Sequence, residues 1–366
     1  MLGPPGLGLI SEIASMPVAL YVASVLVAIA GVWFCNCRPH ISPEGLLIMK
    51  HSVGIIGLGT VGSRFVEQFN LHDSFDLIAA WDPDPAACKA NEKEVRIAES
   101  ASAVIDAAGA VYIAVPPLFH DEYVRKCVAA HSAIFCEKPL GIDITQSREL
   151  VTLVNKAGTP AGVNFVFSAA PSATKMSEIV GQPEFGEIIR CDLDLHFRDW
   201  PRAWHTNAQW LRDRDQGGWV REVVSHFLFI INRSLGTTSL NDVLISYPDG
   251  PTGKLAETDL LASLDAGGKP IAIKGTSGGA GPDIVNLTIR GTNSAVRIWD
   301  WYRLQVSENG GWTDLLGTDR AELGTNAYMQ QLDQLALMIE GKTSLIASFD
   351  EALAVQEIVE KVLSSH

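Results

Sequence analysis

Lys138 lies in the stretch Cys136-Glu137-Lys138-Pro139-Leu140-Gly141, directly after the apolar run Ala133-Ile134-Phe135. Such a run reads as a buried parallel strand, and open α/β sheets bind their ligands at the carboxyl ends of those strands. Pro139 disfavours helix at Lys138 and holds it extended, so the ammonium can be aimed. An aimed ammonium can stabilise a developing oxyanion. Read alone, Lys-Pro is an ordinary exposed loop pair. A second chemical group follows in Gly217-Gly218-Trp219-Val220-Arg221-Glu222-Val223-Val224-Ser225-His226-Phe227. Helical spacing puts Glu222 and His226 on one face, four positions apart. A carboxylate there orients the imidazole and raises its basicity, which makes an acid/base pair. A lone histidine on an apolar helix face is usually core; the carboxylate and the preceding glycines favour function.

Between the N-terminal region and Lys138 lies a nucleotide-binding pattern. A short apolar strand from Val53 enters Gly57-Leu58-Gly59-Thr60-Val61-Gly62, and an amphipathic helix follows. In this context the glycines allow a tight turn, close approach to a pyrophosphate and helix–sheet packing. The helix N-terminus adds free N–H groups. A second strand, Leu77 to Trp81, ends at Asp82, 20 positions after Gly62. A carboxylate there accepts from the ribose hydroxyls and repels a 2′-phosphate, so NAD is favoured over NADP. Asp82 can cap the turn Asp82-Pro83-Asp84-Pro85 at the same time. A further strand, Ala110 to Val115, ends in Pro116-Pro117-Leu118-Phe119-His120, a stiff loop at the ligand edge. His120 is read either as a contact to ribose or nicotinamide or as a histidine at a helix start. Pro116 and Glu137 are grouped with the cofactor contacts. Asn164, near the end of another apolar run, either lines the nicotinamide pocket or is a satisfied turn residue.

These residues need a scaffold. A third β–α unit is expected over 95–108, and the run 160–167 reads as a sixth strand closing a doubly wound parallel sheet. From Glu187 the strands lengthen and alternate, with turns such as Ala266-Gly267-Gly268, which indicates an antiparallel sheet. The fold class is therefore α/β: an N-terminal Rossmann sheet, then an α/β domain with a mostly antiparallel open sheet. The boundaries read 1–48 as an extension, 49–168 as the cofactor domain and 169–366 as the substrate domain. The stretch 196–219, HFRDWPRAWHTNAQWLRDRDQGGW, is rich in Trp, His, Arg and Asp. It suits a polyhydroxylated ligand, or forms a Trp-rich lid or dimer contact. The last helices, 327–340 and 349–364, carry no reactive constellation and are expected to pack back on the first domain.

Composition bounds the rest. The chain has 366 residues, enough for two domains. A net charge of −14 without any basic cluster argues against nucleic acid. Six cysteines form no CxxC pair and no metal spacing, which suggests reduced thiols, no metal and a cytoplasmic catalytic body. Met16 to Cys35 is an uncharged apolar run. At about 1.5 Å per residue it spans roughly 30 Å, the thickness of a bilayer core. Basic residues follow it, which would keep the body cytoplasmic and membrane-anchored. Equally, the chain could start at Met49, with 1–48 as upstream sequence.

The glycine motif, Pro116-Pro117-Leu118-Phe119-His120, Glu137-Lys138-Pro139 and the Gly-Gly…His helix together resemble the family of glucose–fructose oxidoreductase, inositol 2-dehydrogenase and the rhizopine-catabolism dehydrogenases. The resemblance covers about 49–366. It implies a Rossmann domain, a second α/β domain whose open sheet makes a homo-oligomer contact, a lysine near the reacting hydroxyl and nicotinamide, and a helix histidine as acid/base. Two departures fall in the substrate domain. Glu222 stands where members commonly carry Asp, and Val224 where they carry Gly; the usual three-glycine run is Gln216-Gly217-Gly218. The resulting expectation is hydride transfer between nicotinamide and a hydroxyl or carbonyl carbon of a sugar, cyclitol or related small molecule. A dinucleotide-sensing regulator without turnover, or an imine or enone reductase, are the alternatives on the same fold.

Overall fold

The computed structural model describes residues 37–41, 47–205, 208–248 and 254–365. The apolar run from Met16 to Cys35 lies outside them. Among the described residues no helix is long and apolar enough to cross a membrane.

The first sheet is built from short, almost wholly apolar strands, because helices cover both faces. It comprises β2 (Leu47–Ile56), β3 (Phe75–Trp81), β4 (Ala110–Ile113), β5 (Ala133–Glu137) and β6 (Ala161–Asn164). These pair in parallel in the order β3-β2-β4-β5-β6. On one face, Phe65, Phe69, Phe75, Tyr112 and Phe135 pack with Leu332 and Leu335 of the helix Arg320–Ile339. On the other, Val104, Val124, Leu150 and Val163 join the larger core.

Three expectations need correction. Among the described residues the parallel strands of this sheet number five: the unit over 95–108 contributes only a single bridge, Ala80 to Ile97, before the helix Ala101–Ala107. The strand expected over 160–167 stops at Asn164, where the chain turns through Phe165 and Ser168. The boundary at 48/49 falls inside β2, whose first residues pair antiparallel with β1 (Cys37–Ile41). That half of β2 runs beyond β3 and β4, so its backbone groups take their partners from β1.

The second sheet has the order β14 (Thr313–Asp314), β13 (Arg303–Ser307), β12 (Ala295–Trp299), β11 (Ile284–Gly291), β7 (Ile188–Phe197), β10 (Pro270–Ser277), β9 (Asp259–Asp265), β8 (Ser239–Ser246), antiparallel except for β7 beside β10. β9 (Asp259–Asp265) alternates buried and exposed positions, as expected when one face meets the core and the other does not. The inner face carries the helix Ser225–Leu235. The outer face leaves Ile189, Leu244 and Leu261 exposed. The crossover into that helix passes through Gly217 and Gly218. Gly218 has φ +95°, and a Cβ there would lie 2.4 Å from the Glu257 carboxylate.

Candidate active site

The glycine loop leaves β2 and turns into the helix Thr60–Leu71. Gly57 has φ +100°, and a Cβ on it would lie 2.4 Å from the Ala114 carbonyl oxygen. A Cβ on Gly62 would lie 1.9 Å from the Gly57 carbonyl oxygen. Gly59 differs: a Cβ there would meet nothing within 4 Å. Two glycines are thus required by the protein's own backbone, and the third keeps an open cradle. The helix start has no side-chain cap, so its N–H groups can face a phosphate. Asp82 accepts from the Leu58 N–H at 2.6 Å and the Asp84 N–H at 2.8 Å. It therefore braces the loop and caps its own turn, and each oxygen keeps a lone pair for a ribose hydroxyl. These residues fit a dinucleotide, with Gly57, Leu58, Gly59, Thr60, Val61 and Gly62 as the cradle and Pro116 at the adjoining strand end.

The carboxyl ends of β5 and β6 then meet the second sheet's helix across a cleft of about 320 Å³. Lys138, Glu222, His226, Glu137, Asn164 and Val61 all line it. Glu137 accepts from the Tyr112 hydroxyl and from Asn164 Nδ2 at 2.6 Å. Asn164 Oδ1 accepts from Gln331 Nε2 at 2.7 Å. Burial raises the Glu137 pKa, and the Lys138 charge opposes that rise. This chain of bonds ties both strand ends to the helix Arg320–Ile339, so the helix read as chemically silent helps build the site.

Lys138 is 7% exposed. Its Nζ donates to the Glu222 carboxylate and, at 2.9 Å, to the Glu222 carbonyl oxygen. The expected Glu222–His226 pair is therefore corrected: Glu222 holds the lysine. The cause is local. Val220–Val224 forms a π-helical turn, wider than the α turn assumed from the spacing. His226 is instead held by the Val166 N–H, 3.4 Å from Nδ1, and by the edges and faces of Phe165, Phe167 and Trp301. Burial, then the Lys138 and Arg202 charges, push its pKa well below the usual imidazole range. It is neutral near pH 7. The Val166 contact favours the tautomer with its proton on Nε2. At 3.4 Å this contact is at the weak end of hydrogen bonding.

Of the two readings of His120, the structure favours the histidine at a helix start, where it opens the helix His120–Ala129. Its ring is fully buried, with Nδ1 and Nε2 each 2.9 Å from a carbonyl oxygen, of Pro139 and Val115 respectively. It joins the Pro116 loop to the Lys138 loop and presents no free nitrogen to a cofactor. Sequence reasoning also missed Arg64, Arg202, Trp204, Trp301, Tyr302, Arg320 and Tyr328, all of which line the cleft. Arg202 and Trp204 lie in the aromatic–charged stretch flagged above. Arg64 and Tyr328 carried no local signal.

Residues 51–165 match the model described as an oxidoreductase family with an NAD-binding Rossmann fold. Inositol 2-dehydrogenase of Corynebacterium glutamicum is 27% identical over 57% of this chain and 60% of that protein. Of solved structures, GenD2 from gentamicin A biosynthesis, in complex with NAD, superposes with TM-score 0.71 at 17% identity, covering 88% of this chain and 95% of that one. Biliverdin reductase from Synechocystis, in complex with biliverdin and NADP+, superposes with TM-score 0.70 at 17% identity, covering 85% and 97%. Both dinucleotides thus occur on this fold, and NAD against NADP is left open by them. Residues 51–165 thus match the NAD-binding Rossmann module of that oxidoreductase family, and the two-sheet architecture is the fold shared with these solved structures.

Proposed function

We propose that the protein is a dehydrogenase acting on a hydroxyl-bearing carbon of a sugar, cyclitol or related small molecule, with NAD preferred. The observation that carries this reading is that Lys138, at the end of a first-sheet strand, and His226, on the helix against the second sheet, line one cleft beside the glycine loop. When bound, the nicotinamide supplies the hydride acceptor or donor. The protein's part is to place the substrate oxygen and move its proton. His226 is neutral at pH 7; with its proton on Nε2, as the Val166 contact favours, it can donate to a substrate oxygen, and accepting a hydroxyl proton at Nε2 requires that contact to give way to the Nδ1–H tautomer. Its lowered pKa then releases that proton readily. Lys138 Nζ has two of its three donors on Glu222. The third is left for a developing alkoxide, in a site where low dielectric strengthens the interaction. Glu222 is a positioning residue for Lys138. The preference for NAD rests on Asp82, whose carboxylate would repel a 2′-phosphate. The exposed Ile189, Leu244 and Leu261 support a homo-oligomer contact through the outer sheet face.

The test is a screen of sugars and cyclitols with NAD and NADP, followed at the NADH absorbance. Lys138→Met is expected to lower kcat by about 10²–10³-fold, and His226→Ala by roughly 10²–10⁴-fold, with NAD affinity nearly kept. Near-parental turnover in both variants would remove the reading.

A further inference from the structure

The cleft holds positive charge that the hydride chemistry does not use. Among the described residues, four cations line it, Arg64, Lys138, Arg202 and Arg320, against two carboxylates, Glu137 and Glu222. In a chain of net charge −14 this excess runs against the overall balance. Lys138 is engaged by Glu222, and Arg320 by Asp300 at 3.2 Å. Glu137 is taken up by Tyr112 and Asn164. Among the described residues, Arg64 and Arg202 have no carboxylate partner within ion-pair distance. Arg64 donates to the Tyr328 hydroxyl at 2.8 Å.

Arg202 sits in an aromatic cage. Its guanidinium lies 5.2 Å from the Phe197 ring centre, 5.9 Å from Trp200, 4.7 Å from Trp204 and 5.3 Å from Trp301. Its Nε is buried without a hydrogen-bond partner. Arg64 reaches the same Trp204 ring, at 5.7 Å. Beside them His205, 3% exposed, accepts from the Arg202 N–H at 3.2 Å through Nδ1. Its proton is then on Nε2, which is also buried and unpartnered. A desolvated guanidinium with an empty donor is costly. A carboxylate or phosphate offsets that cost, because the planar fork matches either group bidentately. Arg202, Trp204, Trp301 and Arg320 also line a neighbouring groove of about 650 Å³. An anion at Arg202 would therefore stand between the reacting cleft and room for the rest of a larger molecule.

We infer that the substrate is an anionic polyol, a sugar acid or sugar phosphate, whose charged group is held by Arg202 with Arg64 beside it. This inference deepens the dehydrogenase reading and rests on it. The test compares D-glucuronate, D-gluconate and glucose 6-phosphate with the neutral glucose and myo-inositol, by NADH formation and by calorimetry on the NAD-loaded full chain. The expected result is at least about tenfold higher kcat/KM for an anionic compound than for its neutral counterpart. Arg202→Met should reduce that ratio by about 10- to 100-fold, mainly through KM, and Arg202→Lys should restore part of it. The phosphate and carboxylate arms show which anion fits. If a neutral polyol is preferred and Arg202→Met leaves the ratio alone, the inference fails while the dehydrogenase reading stands. If an anion binds, and binds more weakly to Arg202→Met, yet no NADH forms with any compound, the reverse holds. Absence of both binding and turnover overturns both. If Arg64→Met weakens NAD rather than the anion, Arg64 belongs to the cofactor and its share of the inference falls.

Discussion

Glu222 and Lys138 should behave as one unit, and a double-mutant cycle read by urea unfolding can show it without knowledge of the substrate. The Lys138 and Glu222 side chains are 5% and 18% exposed. Removing one partner of a fully buried pair costs about 3–5 kcal/mol, because the other charge is left uncompensated. Partial solvent access at Glu222 discounts that to roughly 2 kcal/mol. Glu222→Gln and Lys138→Met are each expected to destabilise by about 2 kcal/mol. Together they should cost little more than either alone, a coupling of about 2 kcal/mol. At about 2–4 °C per kcal/mol, each single change lowers Tm by about 4–8 °C. The cycle of Glu222→Gln with His226→Ala should be additive within about 0.5 kcal/mol. Strong coupling of Glu222 to His226, with none to Lys138, would restore the pairing read from helical spacing and refute the one described here.

Three further outcomes follow from named contacts. Gly59→Ala should weaken NAD binding about tenfold or more while leaving Tm unchanged, since its Cβ points into open space; Gly62→Ala should lose about 1–3 kcal/mol of stability through its clash with Gly57. Calorimetry and thermal melts separate the two. Burial depresses the His205 pKa to about 4, so its stabilising contribution is complete above pH 6.5 and falls away as pH drops to about 4. His205→Gln should flatten the loss of stability across that window in pH-dependent unfolding. Arg221 is buried, donates to Glu360 at 2.6 and 2.8 Å, and also donates to the Arg214 and Gly217 carbonyls. Arg221→Met should cost about 3–5 kcal/mol in urea unfolding.

What the sequence by itself determined is local chemistry. The glycine loop was legible because tight turns and backbone contacts at Gly57 and Gly62 exclude side chains. The strands were legible because doubly covered strands read as unbroken apolar runs. Lys138 and His226 were legible because a strand end followed by proline, and a helix after two glycines, restrict where each can point. The tertiary structure alone decided the partners. Glu222 turned to Lys138 because a π-helical turn replaced the assumed α turn, and that choice depends on how Val220–Val224 packs. His120 became a brace because two loops closed over it. Arg64, Arg202 and Tyr328 are far apart in the chain, and only the packing of the two sheets with the helix Arg320–Ile339 brings them to one cleft. Periodicity reports which face of an element is buried; it carries no information about which charge lies opposite. That is set by distances of a few ångströms between segments hundreds of residues apart, to which electrostatic interactions in a desolvated cleft are most sensitive.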